Sequence, residues 1–311
     1  MRVPLSLMAL LAVVVSTAPV PAAAEGGAAW EACVGLTSTP DERVKACSTV
    51  IDGKSETGSR LAGAYCLRGH GLTEQRKLDA ALSDLDEAVR LDPAYACAYS
   101  NRGRVYAFKH DLDRAISDYD EAIRLKPTFA LAYNNRGDAK LGKGDVSGAI
   151  ADFDAAIKAD PTLAIAYNNR GHLYFRLRDT AHALADYAVL IKLDPIRGYL
   201  ARGDAYRDTD QLDRAIADYA EVIKLAPEDA RGWRNRGSMR LFKGDNKGGV
   251  ADYDKALQYD PADAYSWNNR GQAKLRLGDR GGAIADLRKA LELSPDMSTT
   301  RDALRKLGVT I

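Results

Sequence analysis

Seven Arg-Gly pairs recur at near-constant intervals along this 311-residue chain. Their glycines are Gly69, Gly103, Gly137, Gly171, Gly203, Gly237 and Gly271, each 34 residues after the last except Gly203, which follows Gly171 by 32. A fixed period of this size means stacked units, each too small to bury its own apolar face. The two missing residues fall in one connection: Pro127 to Tyr133 is six steps, whereas Pro195 to Tyr199 is four.

The rest of the unit repeats with the pair. Four residues before each glycine is an aromatic: Tyr65, Tyr99, Tyr133, Tyr167, Tyr199, Trp233 or Trp267. Twelve after it is a small residue (Ala81, Ala115, Ala149, Ala183, Ala215, Gly249, Ala283), and sixteen after it a large one (Leu85, Tyr119, Phe153, Tyr187, Tyr219, Tyr253, Leu287). Twenty-four after it is always proline, from Pro93 to Pro295. Large residues at helical spacing make a buried stripe, and small ones let two helices approach closely. Asp111, Asp145, Asp179, Asp245 and Asp279 stand eight past their glycines, where an aspartate suits the N-cap of a second helix. The proline closes each unit. The pattern predicts an all-α chain of helical hairpins.

These spacings resemble those of the tetratricopeptide repeat, over about Ala62 to Met297. The resemblance implies seven repeats of paired antiparallel helices, stacked into a right-handed superhelix with a concave inner face. One slot departs from the family throughout. Where it favours leucine before the glycine, this chain has Arg68, Arg102, Arg136, Arg170, Arg202, Arg236 and Arg270.

Sixteen residues after each of those arginines is an aspartate: Asp84, Asp118, Asp152, Asp186, Asp218, Asp252 and Asp286. The turn of the hairpin falls near the midpoint, and residues equidistant from a turn face each other. Arg136 is therefore expected to meet Asp152 within its own repeat, as a partly buried guanidinium requires. The series reads as an internal ladder, not a ligand site.

Asparagine stands two residues before five of the glycines: Asn101, Asn135, Asn169, Asn235 and Asn269. Two readings stand. Each amide is either a local fitting of the repeat or, as in some members of the resembled family, part of a ladder that grips the backbone of an extended peptide. An amide donates and accepts at once, which suits a peptide group of any sequence. The family's other groove positions lie six and three before the glycine and one, four and five after it. They carry Asn134, Asn168, Asn268, Arg104, Asp138, His172, Phe175, Arg176, Arg197, Asp204, Arg231, Arg234, Phe242 and Arg276. The arginines of the later repeats favour a partner segment with acidic groups. The lysine set with which chaperone-binding relatives clamp a carboxylate is absent.

The first residues have the pattern of an export signal: Arg2, an apolar run from Leu5 to Val15, and Ala22-Ala23-Ala24 as a cleavage site. Residues 1–24 are expected to be removed. Losing Arg2 from the 44 Lys and Arg leaves the 43 Asp and Glu balanced, a poor basis for holding nucleic acid or anionic lipid. No further apolar run is long enough to insert in a membrane. A helical hairpin is expected over residues 25–61, turning near Pro40, and a capping helix within 298–311. The hairpin places Cys33 opposite Cys47, which reads as a disulfide in an exported chain. Cys66 and Cys97 fall at groove positions of neighbouring first helices, with His70 one turn past Cys66. A second disulfide, two free thiols and a partial metal site all fit that spacing.

His70, His110, His172 and His182 are the only histidines. None sits in a HExxH motif, and the chain has no GxSxG or P-loop. The expectation is a non-catalytic scaffold without cofactor or metal, exported to a bacterial periplasm, that holds an extended segment of another protein. A binder of small molecules or cell-wall fragments using the same groove is the alternative.

Overall fold

The computed structural model describes residues 27–35, 39–54 and 56–310. The expected signal segment lies outside them. Every regular element among the described residues is a helix, and none is long and apolar enough to cross a membrane.

The chain divides into two compact units within the ninth helix. The first unit holds α1 (Gly27–Val34), α2 (Pro40–Asp52), α3 (Gly58–Glu74), α4 (Leu78–Leu91), α5 (Ala96–Phe108), α6 (Leu112–Leu125), α7 (Ala130–Gly142), α8 (Val146–Ala159) and the start of α9 (Ala164–Arg176). The second holds the rest of α9, α10 (Thr180–Leu193), α11 (Pro195–Asp208), α12 (Leu212–Leu225), α13 (Ala230–Phe242), α14 (Asn246–Tyr259), α15 (Ala264–Arg276), α16 (Arg280–Leu293) and α17 (Ser298–Lys306). Within each unit consecutive helix pairs pack as a solenoid. First helices of neighbouring repeats also touch: α3 with α5 and α5 with α7 in one unit, α13 with α15 in the other. They line one side of each unit, called here the first-helix face.

Local sequence explains the boundaries. Asp111, Asp145, Asp179, Asp245 and Asp279 cap the second helices, each accepting the backbone N–H three residues on. The turn before each cap needs a left-handed residue seven past the repeat glycine. Gly144, Gly244 and Gly278 take it at no steric cost, while Arg76, His110, Arg178 and Asp210 are held there by the fold around them. Proline follows the second helix in every repeat but one. Pro195 instead opens α11, and Asp194 ends α10 and caps α11 at once. The two-residue deletion has removed the whole connection, and an added Cβ on Gly198 would lie 2.5 Å from the backbone nitrogen of Ile191.

The core is the stripe read from the spacings. The alanines twelve past the glycine are fully buried, and the large residues sixteen past it are 0–1% exposed. Each large side chain lies on its own repeat glycine: a Cβ on Gly137 would meet the Phe153 ring at 2.8 Å, and one on Gly203 the Tyr219 ring at 2.7 Å. At the N-terminal end the Cys33–Cys47 disulfide joins α1 to α2, with Cα atoms 4.7 Å apart. α1 ends at Val34, and Pro40 is the first residue of α2. It follows Thr39, which forms a capping box with Glu42. At the other end α17 buries Thr300 and Leu304, while Ala303 and Leu307 are half-buried.

Candidate functional site

The seven arginines before the repeat glycines point into the hairpins. Each donates from Nε and Nη2 to the two carboxylate oxygens of the aspartate sixteen residues on, at 2.5–2.9 Å. The pairs are Arg68–Asp84, Arg102–Asp118, Arg136–Asp152, Arg170–Asp186, Arg202–Asp218, Arg236–Asp252 and Arg270–Asp286, and every one of the aspartates is buried. All seven guanidinium groups also lie over an aromatic ring, six over the aromatic four residues before the glycine and Arg170 over Tyr174. The third donor reaches across repeats: Arg102 to Asp86, Arg136 to Asp120 and Arg270 to Asp254. Where Arg202 and Arg236 would look for the same partner, Ala188 and Ala220 stand instead. Such fork-to-fork pairs leave little of the guanidinium for a ligand.

The expected groove residues divide into those already engaged and those open. In the first unit the amides bond one another. Asn134 and Asn168 are buried, Asn134 donates to Asn135, and Asn168 to Asn169. Asn169 Nδ2 donates to Asn134 Oδ1 at 3.1 Å and to the carboxylate of Asp138. Asn101 donates to the sulfur of Cys66, and Arg104 Nη2 lies 2.5 Å from His70 Nδ1. His70 is 2% exposed, with Nε2 3.4 Å from Glu74, so its ring nitrogens serve that ion network and not the cysteine sulfurs. Burial pushes its pKa below the ordinary value. Among the described residues no three His, Cys, Asp or Glu side chains gather to hold a metal.

In the second unit His172 contacts the hydroxyl of Tyr187, and Arg231 is turned back onto Asp229 by three side-chain bonds. Asn268 accepts from Thr300 of α17 at 2.8 Å, so the last helix occupies that amide. Arg276 is exposed beside Asn246. Three expected residues converge on a recess: Arg234 and Asn235 of α13, and Asn269 of α15. Ser238, Tyr253 and Tyr265 complete its wall, and its volume is about 200 Å³. Asn269 Nδ2 donates to the Tyr253 hydroxyl at 3.1 Å and its Oδ1 accepts from Asn268 Nδ2 at 3.0 Å, so that amide is engaged at both ends. Arg234 differs from the ladder arginines. Its nearest carboxylate, Asp263, is 3.5 Å from Nη1, and Nη2 meets no protein partner among the described residues. Tyr265 is 67% exposed at the rim. The recess thus offers a loosely held cation, one amide, two hydroxyls and one aromatic face.

Tyr253 and Tyr265 were not singled out by spacing. Tyr265 occupies the position six before its glycine, so the groove rule itself would have found it. Tyr253 lies in the core stripe, and the signal was the hydroxyl that tyrosine carries where Phe153 has none. A second recess of about 290 Å³ lies between α2 and α4, but its polar members Arg68, Ser48 and Asp84 bond one another, which makes it a packing gap of the ladder.

Family models described as tetratricopeptide repeat match residues 62–95, 164–197, 196–229 and 264–297, and a further TPR repeat model matches 109–144 and 138–177. Together they span well over half of the chain. This is a tetratricopeptide-repeat protein. Residues 230–263 fall outside these matches and still fold as the α13–α14 hairpin, with Gly249 in place of the usual alanine. No curated protein matches the chain by sequence. Among solved structures, a tetratricopeptide repeat protein from Parabacteroides merdae is 20% identical, with 78% of this chain and 97% of that one covered and a TM-score of 0.55. Yeast Tom70 is 17% identical over 86% of this chain and 59% of its own, with a TM-score of 0.60. Pseudomonas aeruginosa pilF is 16% identical over 69% and 98%, with a TM-score of 0.57. At such identities the likeness is one of fold. Tetratricopeptide repeats are typically non-catalytic scaffolds that commonly mediate protein–protein interaction.

Proposed function

We propose that this repeat protein is an exported, periplasmic, non-catalytic scaffold that holds an extended segment of another protein on its first-helix face. The recess between α13 and α15 seats an acidic side chain of that segment. The observation that carries the reading is Arg234, a guanidinium facing a recess with Nη2 unpaired, while the arginine two residues later is held through Nε and Nη2 by the two oxygens of Asp252. A carboxylate entering the recess would gain a charge-assisted bond from Arg234, and the Asn235 amide suits a flanking peptide group. The volume favours a side chain over a whole small molecule, since drug-sized ligands occupy roughly 300–1,000 Å³. The Cys33–Cys47 disulfide supports an oxidising compartment, in keeping with the signal-like first residues.

The test is selection of a random octapeptide pool on the purified protein, followed by titration of enriched peptides using Trp233 and Trp267 fluorescence. The peptides should be rich in Asp or Glu. Arg234→Ala should weaken them by about tenfold or more, the worth of one hydrogen bond to a charged group. Enrichment without acidic bias, or equal binding by the variant, overturns the reading. Tight binding of muropeptides with no selected peptide would assign the face to cell-wall fragments instead.

A further inference from the structure

Two of the four cysteines lie outside both the disulfide and the recess. Cys66 on α3 and Cys97 on α5 are free thiols on touching first helices of the first unit. Their repeat positions, three and six before the glycine, are those that place Arg234 and Tyr265 together in the second unit. The register that builds a binding wall there builds a dithiol here. Cys66 is 1% exposed and packed with Leu72 and Leu85, whereas Cys97 is only partly covered. Cys97 packs against the cluster that holds Cys66, and Asn101 Nδ2 donates to Cys66 Sγ at 3.2 Å.

We propose that Cys66 and Cys97 form a thiol–disulfide exchange site, with Cys97 the attacking sulfur and Cys66 the resolving one, acting on a small accessible disulfide. Exposure alone sets the order of attack, because an incoming disulfide reaches Cys97 first. Charge agrees with it. The hydrogen bond from Cys66 holds the Cys97 thiol below its ordinary pKa, and Lys126 and Arg104 add to the effect. The same bond, together with burial, pushes Cys66 up. Cys97 is thus the thiol that ionises first.

The Cys97 thiolate attacks one sulfur of the incoming disulfide. A new S–S bond forms at Cys97, the old one breaks, and the departing thiolate takes up a proton. Cys66 then loses its proton and attacks the Cys97 sulfur, closing the Cys66–Cys97 bond and expelling the second thiol. The dithiol is oxidised by two electrons, the incoming disulfide is reduced by two, and two protons leave with the two product thiols. The bridge ties α3 to α5.

The probe is oxidised glutathione, added to the full chain with Cys66 and Cys97 reduced and followed by peptide mapping, with the Cys33–Cys47 bond as internal control. The wild type should close a Cys66–Cys97 disulfide without retaining glutathione. Cys66→Ser should stop at one glutathione on Cys97, and it should react about tenfold faster than Cys97→Ser, whose only remaining free thiol is buried. Circular dichroism of both variants shows that they are folded, and a variant that is not is replaced by the alanine form. Failure of the bridge to form over a series of glutathione redox buffers overturns the proposal, as do equal rates for the two variants.

Discussion

Replacing Asp152 with alanine removes the acceptor of three charge-assisted bonds: from Arg136 Nε at 2.9 Å, Arg136 Nη2 at 2.5 Å and Lys140 Nζ at 2.9 Å. Asp152 is 3% exposed and the Arg136 side chain 17%, so the cation cannot simply turn to water. Breaking a buried ion pair by deleting one partner costs roughly 3–5 kcal/mol, mostly the stranded charge. Two features pull the value to the lower end. Arg136 retains Asp120 through Nη1, and Lys140, on a flexible stem, can move outward. The expected loss is therefore about 3 kcal/mol, a fall in melting temperature on the order of 5–10 °C for an array of this size. Asp113→Ala is the control: its carboxylate pairs with Lys143 but is 81% exposed, and such surface pairs are worth under about 1 kcal/mol. Thermal circular dichroism of both variants decides the matter. A melting temperature for Asp152→Ala within the shift of Asp113→Ala would refute the reasoning that the ladder holds the hairpins together.

Gly137→Ala puts a Cβ 2.8 Å from the Phe153 ring. Overpacking of this kind should cost about 1–3 kcal/mol, and Phe153→Leu should recover part of it in a urea midpoint; no change in the single variant would show the ring free to give way. Stability should also fall as pH drops below about 6.5. Burial depresses His70 in the folded chain, so over that window the unfolded chain binds a proton that the folded chain refuses. The stability present above the unfolded value is lost progressively toward the depressed folded one. His70→Gln should reduce the fall in urea midpoint between pH 7.5 and 5.5, leaving the share due to His172, which burial also depresses; an equal fall in both proteins would place the acid sensitivity elsewhere.

The repeat was legible because its physics is local and reiterated. A glycine, the large side chain lying on it, a small residue and a capping aspartate each recur at one spacing, and seven copies average out every exception. The arginine–aspartate pairs were legible for the same reason, since a hairpin fixes which residues face. The asparagines were not. Asn135, Asn169 and Asn269 share one repeat position, yet Asn169 bonds Asn134 and Asp138 while Asn269 bonds Tyr253. Those partners lie on other helices, and their identity changes from repeat to repeat. Arg234 could be told from Arg231 only by the aspartates nearby: Asp229, two residues before Arg231, takes it by three side-chain bonds, and Asp263 stays 3.5 Å from Arg234. The proline spacing misled at one point. Pro195 closes α10 as expected but begins α11 in the same step, because shortening a connection by two residues left nothing between the helices.

The missing cross-repeat carboxylates at Ala188 and Ala220 give the second unit an uneven grain. A solenoid opens where the coupling between neighbours is weakest. At the α10–α11 junction the absence is offset by direct contact, with Gly198 pressed against the backbone of Ile191. Between α12 and α13 the approach is looser, a Cβ on Gly232 lying 3.3 Å from the backbone nitrogen of Ile223. Amide hydrogens of α13 to α17 should therefore exchange as a block distinct from α10 to α12, and the recess of Arg234 lies wholly within that block. A segment bound there would slow exchange on one side of the seam and leave the other side unchanged, so that occupancy could be read from half of the unit alone.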